Sequence, residues 1–496
     1  MDMMLLLYIF AGVIIGLIMG ALPGLTVTMT AVLVVSLTFG WDMVSALAFI
    51  IGAFTGGVMG GSISAIALNI PGTAAAVATV FDGYPLKLKG EADNALGISM
   101  FVSFIGGIFG IIVLVLVGPL LGEIALKFGS QEYFLITLWG ITLVAVLSRG
   151  NMSKGLISAG IGLFIGMIGM DPITGLMRFT LGSKLLSGGV NYIVAMIGLF
   201  GMKEVFVQLK STSSFDVGNT RYKIKDLFPK PAIIKKVFPC MTWSAPIGWI
   251  IGLLPGTGGD IGSLVSYGFT KQLVKKPSRP FGEGAYEGVA APEIANDSAI
   301  GGAITTMLTL GIPGDSVTAV ILGSFYMHGL MPGPTFMMRE IKYFYLIVVF
   351  LIIGSILSYI FGIFGSNLML KMLKLPKWLM VPIISMLCII GSYAIQNSIN
   401  DVLFMLAFGV LGYVFERAGY PTGPIVLAII LGPMIETNFR QALINTGSMG
   451  SLMTSFVTRP INLIILVLVI GSFVFQSKTL KKFESDTVES KGEVEA

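Results

Sequence analysis

The sequence has little of what soluble chemistry uses. In 496 residues there is one histidine, His328, and only two cysteines, Cys240 and Cys388. None has a partner at ligand spacing, which argues against a metal centre or a disulfide framework. Charged residues make up 11% of the chain, too few to solvate the surface of an ordinary soluble domain. The net charge of +5 calls for no nucleic-acid partner, because basic residues in such a chain mark cytoplasmic loops. The opening "MDMMLLLYIF" carries no Lys or Arg before its apolar run. It lacks the basic region of a cleaved signal peptide and is expected to remain as a helix. "GTGGDIG", from Gly256, has neither the strand–helix context nor the Lys-Ser/Thr ending of a nucleotide-binding loop. It also reads Thr-Gly-Gly-Asp at 257–260, not the Gly-x-Gly-Asp of an intramembrane aspartyl protease, and no Tyr-Asp partner helix accompanies it.

What the chain does have is apolar length. Hydrophobic residues make up 55%, with a mean hydropathy of +0.90. The clearest apolar runs are 3–22, 95–121, 132–148, 155–170, 191–208, 343–370, 378–395, 401–416 and 452–475. Most approach or exceed the roughly 20 residues that span a bilayer. The expected fold is an all-α polytopic membrane protein in a lipid bilayer. A polar stretch at 209–238 divides it, and a charged tail at 477–496 closes it.

Two helices break in the same way. "GALPGLTVTMTAVLVV" begins at Gly20 and "GLLPGTGGDIGSLVSY" at Gly252, an offset of 232 residues (252 − 20). "NIPGTAAAV" at Asn69 and "GIPGDSVTAV" at Gly311 are offset by 242 (311 − 69). "LFGMKE" at Leu199 and "LGPMIE" at Leu431 are offset by 232 again (431 − 199). The ordered set implies two homologous halves, 1–208 and 239–451, with a basic linker at 209–238. An additional C-terminal helix at 452–476 precedes the tail.

Charge gives each half a direction. The loop at 82–91 carries Lys87 and Lys89, whereas its counterpart at 327–334 carries no Lys or Arg. The turn at 149–154 carries Arg149 and Lys154, and its counterpart at 396–400 carries none. Conversely, 271–279 is basic where 40–42 is not, and 371–377 holds three Lys where 122–132 holds one. Since positive charge marks the cytoplasmic side, the halves are expected to be inverted, with Arg178 and Lys184 as exceptions on the outside. The linker and tail fall inside. Inverted repeats with interrupted helices are a secondary-transporter design.

The interruptions lie at Pro23-Gly24, Pro71-Gly72, Pro255-Gly256 and Pro313-Gly314. Non-helical backbone at membrane depth is tolerated where it lines a protein-enclosed cavity. Helix starts beside such breaks offer N–H groups and positive potential to an anion. Thr26, Thr28, Thr73, Thr257 and Ser316 could add hydroxyls, with Gly258 and Gly259 permitting close approach. Asn69 and Asn296 would complete the polar wall of one central site. The acids at 283–297 include Glu287, Glu293 and Asp297, and acids at membrane depth are functional candidates. Glu283 and Glu287 could equally belong to a cytoplasmic loop. Asp260, Asp297 and Asp315 are the candidates for a coupling ion. Ser266 and Tyr267 read as packing or interfacial anchors, with a substrate role as the alternative. Gly12, Gly16 and Gly20 read as helix-packing positions.

Three stretches carry a family resemblance: "NIPGTAAAVATVFDGYPLKLKGEADNALGIS", "EGVAAPEIANDSAIGGAITTMLTLGIPGDSVTAVILGSFYMHGLMPGP" and "GLLPGTGGDIGSLVSY". They resemble signatures of the large membrane subunit, TctA, of tripartite tricarboxylate transporters, over about 10–450. The resemblance implies an importer of the bacterial inner membrane. It implies a small four-helix membrane subunit and a periplasmic solute-binding protein as partners. It implies a carboxylate substrate, citrate-like tricarboxylates first, and uptake coupled to Na⁺ or H⁺ with no cofactor. An elevator-like motion follows by analogy. Asp297 stands where the family is expected to carry Asn, and Asp260 and Asp315 where small or neutral residues are expected. Two rivals remain at this stage: a membrane-embedded hydrolase using Asp260 and Asp315, and a passive anion channel.

Overall fold

The computed structural model describes residues 2–147, 152–210, 221–374 and 377–471. The tail at 477–496, Arg149 and part of the linker lie outside the described residues. In chain order the helices are α1 (Met3–Ala21), α2 (Val27–Leu37), α3 (Met43–Leu68), α4 (Val77–Leu88), α5 (Ala92–Ala125), α6 (Ser130–Leu147), α7 (Met152–Gly166), α8 (Tyr192–Met196), α9 (Lys203–Lys210), α10 (Pro231–Leu253), α11 (Gly258–Leu273), α12 (Tyr286–Leu310), α13 (Ser316–Met327), α14 (Phe336–Arg339), α15 (Ile341–Met372), α16 (Lys377–Gln396), α17 (Ile399–Arg417), α18 (Gly423–Thr446) and α19 (Met449–Thr458). A π-helical turn, Ile197–Met202, joins α8 to α9, so that Tyr192–Lys210 is one span.

Among the described residues, seven helices are long and apolar enough to cross a membrane. One of them, α3, is absent from the apolar runs named above. It is no less apolar than Tyr192–Lys210 or α17, but Gly and Ser interrupt its large apolar side chains, and it is buried over almost its whole length. The C-terminal segment is not a single straight helix. Met449–Thr458 and Pro460–Gly471 meet at 86°, because Pro460 lacks the N–H that would continue the ladder.

The described chain forms two compact units. The first comprises Met1–Leu126 and Asn191–Val414. Its organising contact is a glycine seam between α1 and α3. A Cβ on Gly12, Gly16 or Gly20 would overlap the carbonyl oxygen of Phe49, Ala53 or Gly57. From the other side, Gly52, Gly56 and Gly60 press on the carbonyls of Ile9, Val13 and Leu17. Small residues let the backbones approach to dispersion distance, which lipid cannot match.

The same seam recurs between α10 and α12. Gly248 lies on the Ala295 carbonyl, Gly252 on Ala299, and Gly302 on Trp249. Each of these is the α1–α3 contact displaced by 232 residues on one side (248 − 16, 252 − 20) and 242 on the other (295 − 53, 302 − 60). Where Gly56 meets Val13, the hydroxyl of Ser298 donates 2.8 Å to Ala245 O. The long helices then cross over: α5 packs on α12 and α15 on α3, while α4 lies against α11 and α12 and α13 against α2. Apolar residues on the outer faces of these helices, such as Ile112, Leu116 and Leu120 on α5, stand exposed to the lipid.

The second unit comprises Lys127–Val190 and the chain from Phe415 onward. Here α6 and α7 pack on α18, with Gly162 against the Ile425 carbonyl. A two-stranded hairpin, β1 (Gly169–Met170) and β2 (Met177–Arg178), pairs Gly169 with Arg178 and Met170 with Met177. Asp171 closes its turn by accepting the amides of Ile173 and Thr174.

Candidate functional site

The two kinds of break have different local causes. At Pro23 and Pro255 the helix loses a donor, and the following glycines, Gly24 (φ 92) and Gly256 (φ 75), take the left-handed backbone that reverses the chain. Thr26 then caps α2 by accepting the Met29 amide at 3.1 Å. Thr257 turns its hydroxyl the other way, donating to the released carbonyls of Ile251 and Leu254. At the ends of α3 and α12 the left-handed residues are Asn69 (φ 60) and Gly311 (φ 72). Two residues later come Pro71-Gly72 and Pro313-Gly314.

Within each half the two breaks meet. A Cβ on Gly72 would overlap the Gly20 carbonyl, and one on Gly314 would come 2.5 Å from the Gly252 carbonyl. The amide of Gly72 donates 3.2 Å to Gly61 O, and Thr73, whose hydroxyl lies over Gly61, accepts the Ala76 amide. In the second half Gly258 lies on the Asp315 side chain and Gly259 on the Asn296 side chain. Asp315 caps α13, accepting the Thr318 amide at 2.7 Å in a reciprocal capping box. Ser316 opens α13, and Asp260 stands exposed in the first turn of α11. Thr28 sits half-buried one residue into α2. The sequence-derived residues thus gather as two clusters. Pro23–Thr28 with Asn69–Thr73 form one, and Pro255–Asp260 with Asn296 and Pro313–Ser316 form the other. The helices that start at them, α2, α4, α11 and α13, leave their first amides without intrahelical partners.

Several polar residues of the site escaped the sequence reading. Glu204, in the span Tyr192–Lys210, reaches the tip of the first break: a Cβ on Gly24 would stand 2.8 Å from its Oε1. Gln208 donates to the same oxygen at 3.1 Å. The usable signal was an acid and an amide four residues apart inside an apolar run. Asp82 is fully buried on α4. Its Oδ1 accepts the amides of Gly282, Gly284 and Ala285 at 2.7–2.9 Å, and its Oδ2 accepts the Tyr267 hydroxyl at 2.9 Å. Tyr267 is therefore an anchor for α4, and Ser266 donates to Ala291 O. Both roles are packing roles. On α12, Glu287 accepts the amide and hydroxyl of Ser278. Glu293 accepts hydroxyls from Thr79, Ser99 and Ser103, and Asp297 lies one turn further on.

Loops bearing charge also sort themselves. Lys89 donates 2.5 Å to Glu283 O, Arg279 pairs with Glu91, and the Tyr286 hydroxyl donates 2.6 Å to Glu91. Burial disfavours the charge on Glu91, but Arg279 and Tyr286 outweigh it and hold its carboxyl below the usual range. The linker joins this side: the Lys223 amide donates to Asp93, and Tyr222 and Asn367 exchange hydrogen bonds. The loops poor in Lys and Arg meet elsewhere, with His328 Nε2 3.2 Å from Trp41 O. In the second unit Arg178 pairs with Glu436 and Asp171, and Arg440 donates 2.7 Å to Asp171. Arg440, with the Ile173 and Thr174 amides, holds the Asp171 carboxyl far below the usual range. The Arg178 charge is thus matched by acids.

These features define a polytopic α-helical membrane protein whose interrupted helices come together in polar clusters. The chain belongs to the tripartite tricarboxylate transporter TctA family, whose family model matches residues 6–427. It is 34% identical, over 92% of its length and 90% of the relative's, to an uncharacterized 52.8 kDa protein in the TAR-I ttuC' 3' region of Agrobacterium vitis. It is 40% identical to an uncharacterized protein in the TAR-II ttuC' 3' region of the same organism, over 43% of this chain and 87% of the relative. No solved structure matches it. This is a multi-pass membrane component of a transporter family, and the tripartite description implies further subunits.

Proposed function

We propose that the chain is the permease subunit of a binding-protein-dependent importer of tricarboxylates or related carboxylates in the bacterial inner membrane, driven by an ion gradient. A small four-helix membrane subunit and a periplasmic solute-binding protein complete it. The two break clusters form the substrate site. Helix starts supply amide donors to the carboxylate groups, and Thr26, Thr73, Thr257, Ser316, Asn69 and Asn296 complete the wall. No Lys or Arg is needed for such a site, because the N-termini of interrupted helices can face the carboxylate of an anionic substrate.

One observation carries this reading: the Gly72–Gly20 and Gly314–Gly252 contacts are counterparts at the offsets 242 and 232. Paired clusters on repeated halves are an arrangement that many alternating-access carriers use. Opposed orientation of the halves is supported by the loop contacts. The basic loop 82–91 meets the basic 271–286 region, whereas its counterpart 327–334 meets 40–42. Crossed packing of α4 and α13 onto the other half suits an elevator-like slide of the break-bearing helices.

The hydrolase alternative fares poorly, because Asp315 is engaged as a helix cap, accepting both the amide and the hydroxyl of Thr318. Uptake of labelled citrate and succinate into proteoliposomes holding both membrane subunits, with binding protein supplied, tests the proposal. Accumulation against a gradient is the expected result. Flux that only equilibrates would make the protein a channel.

A further inference from the structure

We propose that Glu293 and Asp297, enclosed by α4, α5 and α12, bind and release a proton in each transport cycle. The inference rests on the transporter reading above and names its coupling ion. The two carboxyls are one helical turn apart on the same face of α12. Both are enclosed, with Glu293 2% and Asp297 4% exposed. Thr79 of α4 donates to Oε1 of Glu293, and Ser99 and Ser103 of α5 donate to Oε2, each at 3.1 Å. Ser103 also reaches Asp297. Oδ2 of Asp297, by contrast, is buried and has no hydrogen-bond partner. A buried acceptor in that condition is where a proton or cation would bind.

Charge makes the same demand. Among the described residues no Lys, Arg or His acts on either carboxyl. Two adjacent negative charges away from water cannot both persist without a counter-charge. Three hydroxyl donors on Glu293 mark it as the carboxylate of the pair, and Asp297 as the partner that shares the proton.

The remaining titratable groups on the packed helices are placed otherwise. Lys87, at the end of α4 beyond Tyr84, donates to Ala67 O, and the Tyr286 hydroxyl is given to Glu91. Lys235 and Lys236 lie in the first turns of α10 and Lys271 in the last turn of α11. On α15, which packs on α5, Lys342, Tyr343 and Tyr345 lie in the first turns and Lys371 in the last, and Tyr359 stacks on Phe104. Asp82 on α4 is held by Tyr267 of α11 and the loop amides, and Glu287 on α12 by Ser278. Asp93 on α5 accepts the Lys223 amide. Glu123 lies at the far end of α5, Asp260 at the start of α11, Cys240 on α10, Tyr326 on α13 and Arg339 on α14; α3 contributes none.

A proton fits this site better than Na⁺. Sodium sites in carriers draw on unwound backbone carbonyls. Here the carboxyls sit inside helix α12, which runs on past Pro292, and three hydroxyls, one of them shared with Asp297, donate to Glu293. The site also has a mechanical link. Thr79 belongs to the short helix that follows the second break, so its bond to Glu293 strengthens with the carboxylate and weakens when a proton arrives. Loading the proton thereby loosens α4 from α12.

The test uses the complete transporter in proteoliposomes with trapped pH dye and labelled citrate or succinate, whichever the wild type accumulates. An inward proton gradient is expected to drive accumulation with acidification of the lumen. Glu293→Gln is expected to lower that accumulation by about tenfold or more while leaving counterflow exchange within about twofold, because exchange needs no net proton movement. Accumulation driven by a Na⁺ gradient alone, without proton entry, overturns the proposal. So does proton-driven accumulation by Glu293→Gln. If that variant fails to assemble, Thr79→Val decides. Losing one donor to the carboxylate is expected to move the pH midpoint of uptake upward, and an unmoved midpoint overturns the assignment. A wild type showing neither gradient-driven uptake nor counterflow would sink the permease reading itself.

Discussion

Gly72 presses its Cα onto the carbonyl oxygen of Gly20, so the turn after α3 is seated on the end of α1. No side chain fits between them. Gly72→Ala should cost about 1–3 kcal/mol through overpacking, and Gly314→Ala should behave alike on the Gly252 carbonyl. Thermal unfolding in detergent measures it. Equal stability in both variants would remove the argument that these glycines are packing requirements.

The binding assignment makes a separate demand. Thr257→Val removes the hydroxyl from the carbonyls of Ile251 and Leu254, which keep only the amides of Leu254 and Thr257, and Asn296→Ala empties the space over Gly259. Both variants should reach the membrane at ordinary levels and lose uptake. Normal transport by both would reject the site.

Orientation can be read directly. Cys240 and Cys388 are buried, which leaves room for reporter cysteines. Leu88 and Met331 are 69% and 77% exposed. Leu88→Cys should react with an impermeant thiol reagent only from the cytoplasm, and Met331→Cys only from the periplasm. Labelling of both from one face would end the inverted arrangement.

Asp82 ties α4 to the loop before α12. Asp82→Ala strips the partner from three loop amides, and an unsatisfied buried donor costs about 1–3 kcal/mol. Hydrogen exchange at 282–285 should rise sharply. Tyr267→Phe, which removes one hydroxyl from the other oxygen, should raise it much less.

Acid should loosen the adjoining clamp. The Glu91 carboxyl is held below its ordinary range, so its contribution is complete above that range and fades as pH falls through the lowered value. Exchange at 278–286 should therefore increase on acidification beneath the usual carboxylate range. In Glu91→Gln it should be raised already at neutral pH and respond less to acid. Identical acid profiles for the two proteins would show that the Arg279 pair does not hold the loop.

Much of this protein was legible before any coordinates. Apolar runs and scarce charge identify a membrane protein, since lipid admits few other compositions. Pro and Gly announce the breaks because their effect is local, on a missing donor and on allowed dihedrals. The glycine seam of α1 was readable from the spacing of Gly12, Gly16 and Gly20. The span α3 was not, although it is no less apolar than Tyr192–Lys210, because the glycines and serines that serve its packing interrupt the run of large apolar side chains. The bend at Pro460 was likewise hidden inside a run that reads as continuous.

The amino-acid sequence by itself determined where helices stop, which residues can cap them, and the paired offsets of the two halves. Each of these depends on neighbours a few positions away. Tertiary structure alone decided what meets what. It brought Thr79 to Glu293 across 214 positions and Ser103 to the same carboxylate across 190. It closed Asp82 onto a loop 200 residues later. Partners so distant leave no periodicity to read, and only the packing of helices in three dimensions sets which buried acid receives a donor.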